Sequence, residues 1–200
     1  MIIIGITGSI GMGKTTVSNM LRILKIPVFD SDKEVKEILE KNRHVIEKIS
    51  KIWPDTVSSH QMQKKIDKAS LSNKIFRGKD ERKKLEKIIH PLVKKKRNLF
   101  LKNYAKFSIV GLDVPLLYET QMDKICDYVF LVNTTKRIQK KRVLVRPNMN
   151  EKKFELINNT QWSYEKKAKE RPFIVNTSFG KTITFIVMLF HLFNIKFIRK

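Results

Sequence analysis

The sequence has a single cysteine, Cys126, in 200 residues. No internal disulfide can form and there is no set of thiols for a zinc site. A disulfide-stapled scaffold and a cysteine-held metal are therefore excluded, and a reducing, cytoplasmic compartment fits. Acid is scarce too: 19 Asp and Glu stand against 42 Lys and Arg, a formal net charge of +23. Such a surplus attracts anionic partners easily. Nucleic acid, a polyphosphate substrate and a lysine-biased genome all account for it. The lysines cluster as Lys64-Lys65, Lys83-Lys84 and Lys94-Lys95-Lys96 without interleaved aromatics. That pattern describes solvated helix faces better than a base-stacking platform, and no nucleic-acid partner is expected.

Long apolar runs are missing as well. The start, Met-Ile-Ile-Ile-Gly-Ile, has neither the basic region nor the small-residue cleavage site of a secretory leader, and reads as a first strand. The apolar stretch over 183–193 reaches only about half the length of a bilayer span before Asn194 and Lys196 interrupt it. A buried terminal helix is expected there, with no membrane partner. Gly/Ser linkers, low-complexity tracts and internal repeats are absent, and 42% apolar residues suffice for one sizeable core. The whole of 1–200 is expected to form a single domain.

Short β-branched runs recur at 2–6, 26–29, 108–113, 128–132 and 173–176, separated by helical patterns. Strands that are apolar throughout and alternate with helices predict an α/β fold with a parallel sheet covered on both faces. Val17, Met20, Leu21 and Leu24 at i, i+3, i+4 and i+7 predict an amphipathic helix starting at about Lys14. No strand of similar quality lies between Asp32 and Phe107. The periodic apolar sets Val35, Ile38, Leu39 and Leu85, Ile88, Ile89 predict several helices there. The expected layout is a core of 1–32, 104–135 and 170–200, a helical insertion over 33–103, and a second helical excursion over 136–169.

Gly8-Ser9-Ile10-Gly11-Met12-Gly13-Lys14-Thr15 matches G-x-x-x-x-G-K-[ST] in full, between a predicted strand and a predicted helix. Glycines let phosphate oxygens approach the backbone, and the helix N-terminus adds partial positive charge. Lys14 is placed to span the β- and γ-phosphates of ATP, and the Thr15 hydroxyl to ligate Mg²⁺. Thr16 sits beside them, either near the phosphates or as a local backbone partner. Ligands of open α/β sheets gather outside the carboxyl ends of the strands. There stand Asp30-Ser31-Asp32 and Asp113. One of Asp30 and Asp32 is expected to cap the next helix and the other to face an acceptor hydroxyl; spacing does not decide which. Asp113 has the form of a carboxylate that holds magnesium through water, or of an ordinary strand-end acid. Gln139, Arg142 and Arg146 at i, i+3 and i+7 share one helical face, either a lid over ATP or a solvated basic face.

These segments together resemble the dephospho-CoA kinase family. The resemblance rests on Gly-Ile-Thr-Gly-Ser-Ile-Gly-Met-Gly-Lys-Thr-Thr, Asp30-Ser31-Asp32, His90-Pro91, Val114-Pro115-Leu116-Leu117-Tyr118-Glu119, the Gln139, Arg142, Arg146 spacing, Gln161, and Ile174-Val175-Asn176 followed by Gly180. It implies a P-loop core with a five-stranded parallel sheet, a CoA-binding insertion and a lid. It implies phosphorylation of the ribose 3′-hydroxyl of dephospho-CoA by Mg-ATP in the cytoplasm. Asp32 would be the base, with Lys14 and Arg142 on the transferring phosphoryl group and Arg146 supporting the closed lid. Asp30, His90, Leu116 and Glu119 would shape the acceptor site. Gly8, Gly11, Met12, Gly13, Thr15, Thr16 and Asn176 would line the nucleotide, and Thr15 and Asp113 the metal. Without the resemblance, His90 before a proline reads as a helix-end or core histidine. Lys68 stands where the family usually has arginine, and Arg171-Pro172 where it usually has Ala-Asp. Another P-loop metabolite kinase shares the fold and ATP chemistry, and a nucleic-acid-binding ATPase would explain the charge more directly.

Overall fold

The computed structural model describes residues 1–60, 63–76, 78–147 and 149–198. The chain opens with strand β1 (Ile2–Thr7), helix α1 (Lys14–Ile23) and strand β2 (Val28–Asp30). Helices α2 (Ser31–Lys41) and α3 (Arg43–Ile52) follow, then strands β3 (Val57–His60) and β4 (Gln63–Ile66), and helices α4 (Lys68–Phe76) and α5 (Lys79–Asn103). Strands β5 (Ile109–Asp113) and β6 (Tyr128–Asn133) come next. Helices α6 (Lys136–Leu144), α7 (Glu151–Asn159) and α8 (Tyr164–Ala168), strand β7 (Phe173–Asn176) and helix α9 (Gly180–Ile198) complete it. Helices α2, α3, α7 and α8 start where short polar side chains satisfy the exposed backbone N–H groups of a first turn. Asp30 accepts from Lys33 N, Asn42 from Val45 N, Asn150 from Lys153 N and Ser163 from Lys166 N, at 2.9 to 3.2 Å.

The contacts divide the chain into two compact units, Met1–Phe29 with Tyr104–Lys200, and Asp30–Asn103. The first carries the five-stranded sheet in the order β2-β5-β1-β6-β7. The pairs β1–β5, β1–β6 and β6–β7 are parallel, with Ile6 opposite Asp113 on one side and Phe130 on the other. The carboxyl ends of β1 and β5 thus lie side by side, which is what brings the loop after β1 to Asp113. β1 and β5 are apolar along their length because both of their faces are covered. Ile4, Ile6, Val17, Leu21, Phe130 and Met188 form the centre of the core.

The second unit has its own core of Ile38, Val45, Ile49, Trp53, Leu71 and Ile89, with Val35, Leu39, Leu85 and Ile88 packed against it. The expected helical periodicity is therefore the packing face of α2 and α5. The sequence reading missed the antiparallel pair β3–β4, in which Val57 faces Ile66. With four residues per strand and an apolar residue only at that end, the alternation is too short to register as a strand pattern. Helix α5 continues through Pro91, so His90 lies in mid-helix and exposed, at neither a helix end nor a core position.

The expectation of a buried terminal helix over 183–193 is corrected in two respects. Helix α9 runs from Gly180 to Ile198, because Asn194 and Lys196 are tolerated inside a helix. Only one of its faces is buried: Thr184, Met188, Leu192 and Ile195 turn inward, while Ile186, Phe190 and Phe193 remain exposed. By length and composition α9 is the one described helix that could cross a membrane.

Core position decides the effect of substitution within one helix. Leu21 is 0% exposed and Ile23 74%. Leu21→Ala is expected to destabilise by about 2–5 kcal/mol, through lost burial and a residual cavity. Ile23→Ala is expected to change stability by no more than about 0.5 kcal/mol. Urea denaturation midpoints of the two variants check this; equal shifts would contradict the packing of α1.

Candidate active site

The loop between β1 and α1 needs backbone geometry that most residues resist. Gly11 and Gly13 have φ of 79° and 97°, in the left-handed region where a Cβ is strained. A Cβ on Gly11 would also lie 2.6 Å from a methyl of Val143. Gly8 lies against the Val132 carbonyl. Gly13 is the cap residue of α1, so Lys14, Thr15 and Thr16 form the first helical turn, with the partial positive charge of a helix N-terminus around them. Thr16 N donates to the Gly13 carbonyl at 3.0 Å, and Thr15 is exposed.

Asp113, at the end of β5, is 2% exposed. Lys14 Nζ donates to its Oδ1, and the Ser18 hydroxyl to its Oδ2 at 2.6 Å. A carboxylate this deeply buried requires charged and hydrogen-bonded partners. Lys14 and Ser18, which are among those partners, stand at i and i+4 on one face of α1. Asp113 is thus tied to the lysine of the glycine-rich loop, and the sequence offered no sign of Ser18 beyond its being a polar residue on an otherwise apolar helix face.

Two glutamines hold the loop from one side. Gln139 Nε2 on α6 donates to the Ile10 carbonyl at 2.8 Å, and Ile10 N donates to Gln161 Oε1 at 3.0 Å. On the other side stands Thr177, which the sequence reading did not single out. Its hydroxyl lies 2.8 Å from the Met12 carbonyl and 3.2 Å from that of Asn133. Arg142 donates one guanidinium N–H to that hydroxyl at 2.7 Å and another to the Thr177 carbonyl at 2.9 Å. Thr177 follows the carboxyl end of β7, so the strand-end rule that selected Asp113 also applies to it. Its neighbour Asn176, expected at the nucleotide, uses its Oδ1 locally, accepting from Ser178 N at 2.8 Å.

Arg142 and Arg146 do not share a helical face. Helix α6 ends at Leu144, because Pro147 disfavours helical backbone at the residue before it, and Arg146 lies beyond the end, exposed. Of the Gln139, Arg142, Arg146 set, the structure brings Gln139 and Arg142 to the loop.

Glu119 Oε1 accepts from Trp162 N at 2.6 Å and pairs with Lys167 Nζ at 3.2 Å, while Oε2 is buried without a hydrogen-bond partner. Tyr118 stacks on Trp162 with ring centroids 6.1 Å apart, and burial pushes its hydroxyl pKa upward. Lys167 is 1% exposed. Burial lowers its pKa, against the opposing pull of Glu119. Nothing in the lysine-rich run Lys166-Lys167-Ala168-Lys169 distinguishes this residue; only the fold does. Leu116 is half-buried beside this pair in sequence and accepts Thr120 Oγ1 at its carbonyl, at 2.7 Å.

In the second unit, Asp30 caps α2 through Lys33 N at 3.0 Å. This decides which of the two aspartates is the cap and leaves Asp32 in the first turn of α2. Lys68 pairs with Glu40 at the surface. Arg171, in the other departure from the family pattern, adopts φ 52° between α8 and β7.

Among the described residues no three His, Cys, Asp or Glu side chains form a metal cluster. A threonine hydroxyl and a buried carboxylate are an oxygen-only donor set. That suits a hard divalent ion completing its shell with phosphate and water.

A family model described as dephospho-CoA kinase matches residues 2–181. The chain is 39% identical to a dephospho-CoA kinase of Bartonella henselae over 177 residues, covering 88% of each chain. It is 35% identical to one of Zymomonas mobilis over 175 residues, covering 88% of this chain and 87% of that one. A Thermus thermophilus crystal structure superposes with a TM-score of 0.82 at 26% identity, over 96% of each chain.

Two substitutions test the connections described. Thr177→Val removes the hydroxyl from the Met12 and Asn133 carbonyls and from Arg142. An unsatisfied buried group costs about 1–3 kcal/mol. If that cost falls on the transition state, turnover drops by roughly 10-fold or more, and Thr177→Ser restores it; steady-state kinetics of both variants decide. Lys167→Met removes the buried cation that pairs with Glu119 and is expected to cost about 3–5 kcal/mol. The double variant Glu119→Gln with Lys167→Met is expected to recover most of that loss, as chemical denaturation of the double-mutant cycle would show.

Proposed function

The chain belongs to the dephospho-CoA kinase family, and from that premise we propose how its residues carry out the final step of coenzyme A synthesis, phosphorylation of the dephospho-CoA ribose 3′-hydroxyl by ATP. The single observation that carries the reading is the reach of the family match. It takes in the phosphate loop, the insertion and the helices α6 to α8 together, whereas the loop alone would indicate only an NTPase.

ATP binds with its β- and γ-phosphates on the N-terminus of α1. Lys14 exchanges its contact with Asp113 for the phosphate oxygens, so a charge already desolvated and positioned needs little reorganisation when the phosphoryl group transfers. Arg142 uses two of its five N–H donors on Thr177. Its remaining donors neutralise the transferring group, with Arg146 closing over the nucleotide and Asn176 on its adenine side. Asp32 accepts the proton of the 3′-hydroxyl as its oxygen attacks the γ-phosphorus and ADP leaves. Asp30, His90, Leu116 and Glu119 are assigned to the acceptor. Thr15 and Asp113 would hold Mg²⁺, which when bound shields the phosphate charges. An ATP-consuming step of cofactor synthesis, together with a lone cysteine, fits a cytoplasmic location.

The test is ADP release from MgATP with and without dephospho-CoA, with the product mass checked for one added phosphate on the ribose. Stimulation by dephospho-CoA with CoA formed is expected; ADP release indifferent to it would refute the reading. Lys14→Ala and Asp32→Asn are expected to lose turnover, the latter by roughly 10²–10⁴-fold while keeping ATP binding. Normal turnover in the Asp32 variant would remove it as the base.

A further inference from the structure

Helix α9 has an outer face that phosphoryl transfer does not use. Ile183, Ile186, Phe190, Phe193 and Phe197 are 47, 59, 61, 58 and 59% exposed. They recur at alternating spacings of three and four and form one continuous stripe. A contiguous patch of large apolar side chains marks a surface that meets another apolar body. The stripe continues into a groove beside α9 lined by Leu24, Ile26, Phe107 and Phe193, with Lys25 and Lys196 in its walls. The family match ends at residue 181, so membership does not account for this face.

The charge on and around α9 identifies what covers it. Between Gly180 and Ile198 the charged residues are Lys181 and Lys196, one near each end, with no acid; Arg199 and Lys200 follow in sequence. A helix seam with a second copy relies on opposite charges flanking the apolar stripe. Here parallel or antiparallel pairing brings lysine toward lysine, between two chains of net charge +23. An anionic lipid surface supplies both missing complements, acyl chains for the stripe and negative headgroups for the lysines, whose stems can extend along the apolar face to reach them. Spanning the bilayer is disfavoured, because Met188, Leu192 and Ile195 on the opposite face are part of the core and would be stripped from it.

We propose that the outer face of α9 docks on an anionic lipid surface, lying along it with Phe190 and Phe193 among the acyl chains and Lys196, with Lys25 of the adjoining groove, at the headgroups. This replaces the expectation of no membrane partner. The net charge of +23 acts in the same sense, drawing the chain to the surface on which α9 then inserts.

The full chain is sedimented with vesicles of phosphatidylcholine alone and of equal parts phosphatidylcholine and phosphatidylglycerol. It is expected to pellet with the anionic vesicles, to be released by high salt, and to stay in solution with the neutral ones. F190D/F193D, both at exposed positions, is expected to weaken that partitioning by roughly a hundredfold, the burial lost from two phenylalanines. Its kinase turnover and melting temperature should be unchanged. Failure to pellet with anionic vesicles, equal pelleting with neutral ones, or pelleting unaffected by F190D/F193D would each overturn the proposal. A homodimer dissolved by F190D/F193D, with no pelleting of the unsubstituted chain, would overturn it too and assign the face to a second copy.

Discussion

A phosphate-binding loop has little to hold it open until its ligand arrives: its glycines are flexible and its helix terminus is electrostatically unfulfilled. In this protein the constraint is met chiefly at Thr177. One hydroxyl and one carbonyl of this residue engage the Met12 carbonyl of the loop, the Asn133 carbonyl at the end of β6, and the guanidinium of Arg142 on α6. The link to Met12 joins positions 165 residues apart, and it forms because β6 and β7 pair in register with Asn133 opposite Asn176. Slip that register, and the hydroxyl leaves the loop.

The remaining supports act in the same sense. Gln139 donates to the Ile10 carbonyl and Gln161 accepts from the Ile10 N–H, so both the α6 helix and the segment after α7 are tied to the loop they flank. Asp113 holds Lys14 from beneath. The buried Glu119–Lys167 pair anchors α8 and Trp162 to the segment after β5. A buried ion pair adds little net stability against an apolar alternative, but it enforces one arrangement, because leaving either partner alone is costly. Here that arrangement fixes the segments surrounding the loop. Catalytic positioning in this fold thus comes from the side chains that hold the loop as much as from the loop itself.

Helix α9 joins this core to the surface. Its inner face completes the packing over α1 and the sheet, and the outer face carries the exposed aromatic stripe. One helix can serve both ends because the inner set and the outer stripe fall on opposite sides of a 3.6-residue turn. Lipid docking would then leave the catalytic geometry undisturbed.

Much of this was legible from residue order alone. Continuous apolar strands imply burial on both faces, helical periodicity implied the faces of α1, α2 and α5, and the glycine pattern with Lys14 and Thr15 implied a phosphate site, because each of these is a local rule of sterics or charge. What the sequence left open was whatever depends on distant segments meeting. It could not choose between Asp30 and Asp32 as a cap, although one hydrogen bond to Lys33 N decides it. Spacing puts Arg146 on one helical face with Gln139 and Arg142, whereas α6 ends at Leu144, ahead of Pro147. The sequence had no means of separating Lys167 from its lysine neighbours, because burial is a property of the fold and not of a residue. Nor could it see that Thr177 would reach Met12, or that α9 would bury only one side, since both follow from how the sheet is ordered and which helices its faces receive.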